Sequence, residues 1–298
     1  MKKVFVGPQG IRAGWRLLMF LVISQVIVKL LYLAIKRFFG YKEPDGWYAA
    51  DFILEGVLSM VALLAGGELM RRIERRSFRE YGLPLQGAFG KMFWLGMLWG
   101  LASSSVMLLL IVAFHGARVD GAALHGQELA KSALAWGAAF ILVGLVEEFS
   151  FRGYPLFTLT TGMSFWPSVV LLSVLFGAVH YFGKPMENWS DAVSIIFWGI
   201  LWSLSLRRTG SLWFAIGFHA MSDYADMVLF AQPNTGNQGK PLHGYLLQIS
   251  YSGPDWLTGG VRGSEASLLE FSILAAMFLI FLKLYPKVKF PLNEAENR

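Results

Sequence analysis

Two adjacent carboxylates stand at the end of a long apolar run. Glu147 and Glu148 follow the segment AWGAAFILVGLV, and Arg152 comes four residues after Glu148. In a helix Glu148 and Arg152 share a face and can form an ion pair, whereas Glu147 is rotated by about 100° and has no partner in its own turn. One tethered and one free carboxylate is the arrangement that separates an orienting group from a general base. A structural ion pair beside one protonated glutamate is the alternative.

Two of the five histidines lie within apolar segments. His180 closes the run LLSVLFGAV, and His219 begins the segment HAMSD, in which Asp223 follows four residues later on the same helical face. A carboxylate beside an imidazole fixes its tautomer and raises its basicity, whether the ring binds a metal or a proton. Structural roles are the alternatives. His180 would then be a hydrogen-bonded residue at a helix end, and His219 and Asp223 would form a hydrogen-bonded pair between helices.

The composition indicates a membrane protein. Of 298 residues, 55% are hydrophobic and 15% charged, against roughly 25% charged in soluble domains. Ionisable side chains at bilayer depth cost about 2.5–3.5 kcal/mol each on insertion scales, so those described above call for a functional reason. The chain has no cysteine, which excludes disulfides and thiolate sites. The net charge is +6, but the basic residues are not clustered in one polar domain, so we expect no nucleic-acid partner.

The hydropathy pattern predicts an all-α, polytopic protein of about eight transmembrane helices. A membrane-crossing helix needs about 20 apolar residues. Basic residues favour one side of the bilayer, most clearly in the cluster RRIERRSFRE at 71–80, so both termini are expected in the cytoplasm. We expect an integral protein of the bacterial inner membrane. The predicted spans are Trp15–Ile35, Ala49–Met70, Met92–His115, Ala133 to about Leu159, Trp166–Phe182, Ala192–Leu206, Leu212–Phe230 and Ser267–Leu284.

Three regions follow from this order of helices. Residues 1–130 hold the N-terminal helices and the basic loop, residues 131–232 hold the candidate catalytic helices, and residues 233–298 hold an outer loop and the last helix. The loop from Gln232 to Ser264 is rich in glycine and is expected to be irregular. We assign no catalytic role to three other charged residues that lie in or near spans: Lys29, Asp51 and Glu55.

Three short motifs resemble those of a known family. Glu147–Arg152 (EEFSFR) resembles EExxxR, Phe176–His180 (FGAVH) resembles FxxxH, and His219–Asp223 (HAMSD) resembles HxxxN or HxxxD. In this order on successive helices, they resemble the CPBP intramembrane proteases, also called Abi proteins or type II CAAX prenyl endopeptidases. The resemblance covers about Trp136 to Phe230.

The resemblance implies a role for each matching residue. Glu147 would activate the attacking water, supported by Glu148, which Arg152 would hold. His180 would position that water, and His219, with residue 223, would stabilise the oxyanion. Asp223 stands where the family often has Asn, and an ionised Asp cannot donate a hydrogen bond. Asp223 must therefore be protonated or act through His219.

The resemblance leaves the metal open. Such proteins have been described both as zinc-type and as glutamate-type proteases, and two histidines with a carboxylate suffice for catalytic Zn²⁺. The HExxH arrangement is absent from this chain, and we favour a metal-free mechanism in which a buried glutamate is the base.

The expected function is cleavage of a peptide bond in a membrane-associated protein or peptide, in CAAX-like or bacteriocin-related processing. The alternative is a non-catalytic membrane binding or immunity protein, or a transporter, that uses the same polar cluster. We see neither the inverted repeats nor the paired broken helices of transporters in the sequence.

Overall fold

The computed structural model describes residues 2–7, 10–42, 44, 46–83, 85–184 and 186–290. Within these ranges the protein is mostly helical, with two small antiparallel sheets. The α-helices are α1 Lys2–Phe5, α2 Ala13–Phe39, α3 Ala49–Glu74, α4 Lys91–Ala113, α5 Gly126–Phe151, α6 Tyr154–Leu159, α7 Phe165–Gly183, α8 Trp189–Thr209, α9 Leu212–Asp223, α10 Asp255–Thr258 and α11 Leu268–Leu284. The strands are β1 Val6–Gly7, β2 Gly10–Ile11, β3 Ala117–Ala122 and β4 Leu247–Tyr251. Short 3₁₀-helices cover Phe78–Tyr81, Thr235–Asn237, Gly260–Arg262 and Ser264–Ala266, and a π-helix covers Tyr224–Leu229.

Six helical segments of the described chain are long and apolar enough to cross a membrane. They are α2, α3, α4, α5 continued through α6, α7 and α8. Large apolar side chains on their outer faces are exposed, as on α2 at Leu18, Val22, Leu30 and Leu33. Such faces are expected where lipid replaces water as the solvent.

The prediction of eight spans is not confirmed for the last two. The seventh predicted span is a 12-residue α-helix, α9, followed by the π-helix, and the eighth is α11 with 17 residues. At 1.5 Å per residue α11 is about 26 Å long, short of a hydrocarbon core of roughly 30 Å. The predicted cytoplasmic location of both termini stays a prediction, and Met1 and residues 291–298 lie outside the described ranges.

The fourth predicted span begins earlier than expected and contains a break in the helix. The helical segment begins at Gly126 rather than Ala133 and ends at Leu159, as predicted. It is interrupted at Arg152 and Gly153, and Pro155 follows in the first turn of α6. Proline suits the first turn of a helix because its missing N–H has no partner there. The Glu pair therefore sits in the last turn of α5.

Helix α9 forms the centre of the molecule. Each of its residues from Leu212 to Ala220 is buried, and it packs against α4, α5 and α8. Glycines bring the helix axes close together. A Cβ atom on Gly96 of α4 would overlap the backbone of Phe214, and one on Gly144 of α5 would lie 2.9 Å from the Ile216 carbonyl oxygen. Small residues at helix contacts are the usual way in which membrane helices pack closely.

Helix α8 flanks the same centre and has well-defined ends. The Asn188 side chain accepts hydrogen bonds from the N–H groups of Ser190 and Asp191, and the Asp191 carboxylate accepts from the Asn188 N–H. This capping box satisfies N–H groups that the first turn would otherwise leave unpaired. The helix ends at Gly210, which has a positive φ of 70°.

The outer loop is less irregular than the sequence predicts. Strand β4 lies within it and pairs with β3, with Ala117 opposite Tyr251 and a bulge between Val119 and Gly121. Gln232 accepts a hydrogen bond from the Ser264 N–H and donates one to Asp226, so it joins both ends of the loop to the π-helix. The glycine-rich composition signalled turns but did not reveal the strand pairing, which depends on residues over 100 positions away.

We predict that a side chain at the α4–α9 contact destabilises the protein. A Cβ atom on Gly217 would overlap the Phe93 carbonyl oxygen, which is backbone and cannot rotate away. Overpacking of this kind typically costs about 1–3 kcal/mol. Gly217→Ala should therefore lower the melting temperature in detergent, measured by intrinsic fluorescence.

The control is Gly137→Ala on α5, where an added Cβ meets nothing within 4 Å. Because alanine favours helix over glycine by about 0.5–1 kcal/mol, this variant should be as stable as the parent or slightly more stable. Equal melting temperatures for the two variants would contradict the close contact.

Candidate active site

The end of α5 places the two glutamates in different environments. Glu148 is fully buried, and Arg152 is 1% exposed. Arg152 Nη1 lies 3.1 Å from Glu148 Oε1, and the Arg152 N–H donates to the Glu148 carbonyl oxygen at 2.7 Å. The Glu147 side chain is 30% exposed. The structure thus shows the pairing of Glu148 with Arg152 that the spacing predicts.

The Arg152 guanidinium lies in an aromatic pocket formed by α7 and α8. Its Cζ atom is 4.4 Å from the ring centre of Phe176 and 5.4 Å from that of Trp202. Such cation–π contacts gain strength away from water. Gly199 leaves the space that the guanidinium fills, since a Cβ atom there would be 2.5 Å from Nη2. Phe176 and Gly199 together explain how a buried arginine fits between these helices.

Glu148 also holds the ring of His219. His219 Nδ1 lies 2.9 Å from Glu148 Oε1, and the ring stacks on Trp202 with centres 3.9 Å apart and planes inclined by 13°. The same carboxylate oxygen therefore contacts both Arg152 and His219. With Nδ1 directed at an ionised carboxylate, this nitrogen carries a proton and donates it. The other nitrogen, Nε2, faces the carboxylates of Glu147 and Asp223.

Nε2 of His219 is near two further carboxylates. It lies 3.7 Å from Glu147 Oε2 and 3.5 Å from Asp223 Oδ2. Asp223 is therefore beside His219, as the spacing of four residues predicts. Three carboxylates around one imidazole stabilise its positive charge.

His180 approaches Glu147 from α7. Its Nδ1 donates to the Phe176 carbonyl oxygen at 2.9 Å, so Nε2 of the neutral ring carries a lone pair. That Nε2 lies 3.9 Å from Glu147 Oε2. The edge of the Phe176 ring packs against the imidazole, with centres 4.5 Å apart. Glu147 is thus placed between two imidazoles, at distances that one water molecule can bridge.

A cavity of about 250 Å³ opens in front of these groups. Glu147, His180, His219 and Asp223 line it, whereas Glu148 and Arg152 lie behind its wall. Its other polar residues include Glu55, Ser59, Lys184, Asn234 and Glu265, and its aromatic residues include Trp47, Phe52, Phe140, Trp198 and Trp202. The cavity has room for a short peptide segment beside Glu147.

The outer loop supplies part of the cavity wall. Glu265 belongs to the 3₁₀-helix before α11, and burial raises its pKa to about 8. Its carboxyl group is therefore mostly protonated at neutral pH and can donate a hydrogen bond. Trp47, which precedes α3, packs against Gly236 in the outer loop so closely that a Cβ atom there would overlap the indole.

Sequence reasoning missed several residues of the site. Trp198 and Trp202 stand four apart on α8, on the face that meets His219, and this spacing of two tryptophans was a usable signal. Gly199 between them gave no comparable signal, because its role depends on Arg152 from another helix. Glu55, to which no chemistry was assigned, lines the cavity.

The described residues do not form the donor set of a zinc site. Among them, no group of three or more His, Cys, Asp or Glu side chains is arranged to hold a metal ion. The Nε2 atoms of His180 and His219 face Glu147 Oε2 at 3.9 Å and 3.7 Å. The side chains of the described residues therefore do not fit a preformed metal centre.

Comparisons with known proteins agree with the motifs. Residues 129–225 match the family model described as type II CAAX prenyl endopeptidase Rce1-like. A protein of Bacillus subtilis (strain 168), described as uncharacterized protein YyaK, is 26% identical over 217 residues, covering 69% of each chain. No solved structure matches this chain. The resemblance to type II CAAX endopeptidases is confirmed over the matched residues, and it implies a protease embedded in a lipid bilayer that acts on a peptide or protein.

We predict that Arg152→Met strongly destabilises the protein. It would leave the Glu148 carboxylate buried without its cationic partner, and breaking a buried ion pair typically costs about 3–5 kcal/mol. The expected drop in melting temperature in detergent is on the order of 10 °C.

The matched control is Arg72→Met. Arg72 also pairs with a glutamate four residues earlier, Glu68, but its side chain is 71% exposed. Exposed pairs contribute little, so this variant should melt close to the parent temperature. A similar small effect for both variants would contradict the structural role of Arg152.

Proposed function

We propose that this protein is an intramembrane endopeptidase that hydrolyses a peptide bond of a membrane-associated protein or peptide through water activated by Glu147. The observation that carries the proposal is the position of the Glu147 carboxylate. It faces an open cavity, and its Oε2 lies between the Nε2 atoms of His180 and His219. A general base must lie within reach of the water whose proton it takes, and both imidazoles can hold such a water against it.

The first step is addition of water to the scissile carbonyl carbon. Glu147 takes a proton from water as the oxygen attacks, and His180 orients that water through Nε2. The carbonyl oxygen becomes an oxyanion, which accepts a hydrogen bond from Nε2–H of charged His219. Donors that are aimed in advance at developing charge commonly contribute the largest part of such catalysis.

The second step is cleavage of the C–N bond. Protonated Glu147 gives its proton to the leaving nitrogen, and the tetrahedral intermediate collapses to a carboxylic acid and an amine. Glu147 is then ionised again and ready for the next water. Glu148 and Arg152 act behind the cavity wall, since they hold His219 at Nδ1 and thereby aim Nε2.

Asp223 has a different role in this scheme from the asparagine it replaces. As an ionised carboxylate 3.5 Å from His219 Nε2, it stabilises the imidazolium rather than donating to the oxyanion. It therefore acts through His219. Asp223→Asn should retain activity, because the amide can donate directly to the oxyanion.

The proposal also covers the catalytic region, the membrane and the class of substrate. The catalytic region is residues 131–232, the membrane is the bacterial inner membrane, and the substrate class includes CAAX-like and bacteriocin-related peptides. Five of the six candidate site residues lie on α5, α7 and α9, and Arg152 follows α5 directly, which supports the bounds of this region.

We predict that Glu147→Gln abolishes peptide cleavage with little effect on folding. Removing a general base typically costs 10²–10⁴-fold in rate, and Gln has nearly the shape of Glu. The measurement is hydrolysis of membrane-anchored and CAAX-like fluorogenic peptides by the purified protein in detergent, with melting temperatures recorded in parallel.

Glu128→Gln is the control, because Glu128 is an exposed residue in the first turn of the same helix. It should cleave at the parent rate. Equal rates for Glu147→Gln and the parent would refute the proposed base, and no cleavage by the parent would favour the binding or transport alternative. A chelator arm tests the metal: activity lost to 1,10-phenanthroline and restored by Zn²⁺ would replace the metal-free mechanism.

A further inference from the structure

Helices α2 and α3 are in close contact near the middle of α2. Ser24 of α2 lies against Gly66 of α3, where an added Cβ atom would overlap the Ser24 hydroxyl oxygen and lie 3.6 Å from Phe20. Ser24 and Phe20 are both buried. This contact leaves no passage between the helices at that level.

Beyond the C-terminal end of α2 the two helices are tied by a hydrogen bond. Tyr41, just after α2, donates its hydroxyl to Asp51 Oδ1 at 2.7 Å, in the first turn of α3. The Tyr41 ring also packs edge-on against Tyr32, with centres 6.0 Å apart. The helices are therefore joined above and below a middle section.

The middle section is open. A groove of about 500 Å³ lies there, and its lining residues are Gln25, Val28, Lys29, Tyr32, Leu33, Lys36, Glu55 and Ser59. Glu55 and Ser59 stand four apart on α3, and both also line the catalytic cavity. The groove and the cavity thus have these two side chains in common as lining residues. We call this opening, bounded by Ser24–Gly66 and Tyr41–Asp51, the α2–α3 window.

The window differs in charge from the cavity behind it. Its α2 side carries Lys29 and Lys36, and Lys29 is an exposed lysine in the middle of an apolar helix. A charged residue in such a position is costly in lipid and usually serves a function. The cavity beyond places the carboxylates of Glu147 and Asp223 beside Lys184 and His219, so its charges are mixed. The two lysines of the window therefore attract a carboxylate more strongly than the cavity does.

We propose that the α2–α3 window binds an extended segment of the membrane-anchored substrate, with a carboxylate of that segment held by Lys29, and that the adjoining residues pass between Glu55 and Ser59 to Glu147. The occupant is a peptide bearing an acidic side chain or a free C-terminus. This inference rests on the proposed function, since it assigns the route to that same site.

Binding is measured separately from cleavage. A fluorescent membrane-anchored peptide with one Glu and an amidated C-terminus, and its Gln counterpart, are titrated onto Glu147→Gln protein in nanodiscs of neutral phosphatidylcholine. The Glu peptide should bind about tenfold more tightly, as expected for a hydrogen bond to a charged group. Lys29→Gln should remove this preference, and Lys29→Arg should restore most of it.

A second measurement tests the route. Because the chain has no cysteine, Leu33→Cys provides a single thiol that lines the groove but not the catalytic cavity. Modification with a bulky maleimide should reduce peptide binding, and cleavage by protein with an intact Glu147, at least tenfold. The matched control is Leu30→Cys, which is 60% exposed on the same helix as Lys29 but does not line the groove. Its modification should change neither.

The outcomes distinguish the two proposals. Loss of binding on Leu33 modification supports the window even if the parent cleaves no peptide, in which case only the proposed function fails. Unchanged binding and cleavage after Leu33 modification overturn the window and leave the proposed function intact. Equal binding of the Glu and Gln peptides, or a preference that anionic phosphatidylglycerol vesicles abolish, assigns Lys29 to lipid headgroups and also overturns it.

Discussion

The buried carboxylate of Glu148 is the contact on which the rest of the site depends. One of its oxygens meets both Arg152 and His219, so a residue at the end of α5 connects the break before α6 with the central helix α9. Taking a carboxylate out of water is expensive unless it is paired and hydrogen-bonded. Phe176 and Trp202 surround the pair, and Gly199 provides space for the guanidinium. The orientation of His219 follows from this charge compensation rather than from local helix geometry.

This arrangement explains why two neighbouring glutamates differ. A step of one residue in a helix rotates the side chain by about 100°, which directs Glu148 into the protein and Glu147 into the cavity. The first pairs with Arg152, and the second faces the cavity between the imidazoles of His180 and His219. The two side chains are chemically identical, but their directions differ. Glu148 therefore positions His219, whereas Glu147 is the reactive group of the proposed mechanism.

Much of the site could be predicted from local spacing. The intervals of four residues between Glu148 and Arg152, and between His219 and Asp223, indicated contacts that the structure contains. Contacts between helices could not be predicted in this way. The stacking of Trp202 on His219 and the space left by Gly199 depend on how α8 and α9 cross, and a helical period carries no information on the crossing of helices.

The same limit applies to the fold. Apolar length identified the helical segments, but it did not show that the seventh predicted span would divide into α9 and a π-helix or that α11 would have only 17 residues. The break before α6 was missed, although Gly153 and Pro155 mark it in the sequence. Strand β4 was missed because its partner β3 lies far away in sequence, and such pairing is set by tertiary contact.

The glycine contacts of α9 have a mechanical consequence. Helices α4, α5 and α9 touch through backbone atoms at Gly96, Gly144 and Gly217, so they can neither slide nor tilt against one another without steric overlap. Helix α2 instead has few buried residues and packs chiefly against α3. The reactive groups on α5 and α9 therefore belong to a part of the molecule in which backbone contacts restrict the relative motion of the helices, whereas α2 is joined to α3 through side chains such as Ser24 and Arg16.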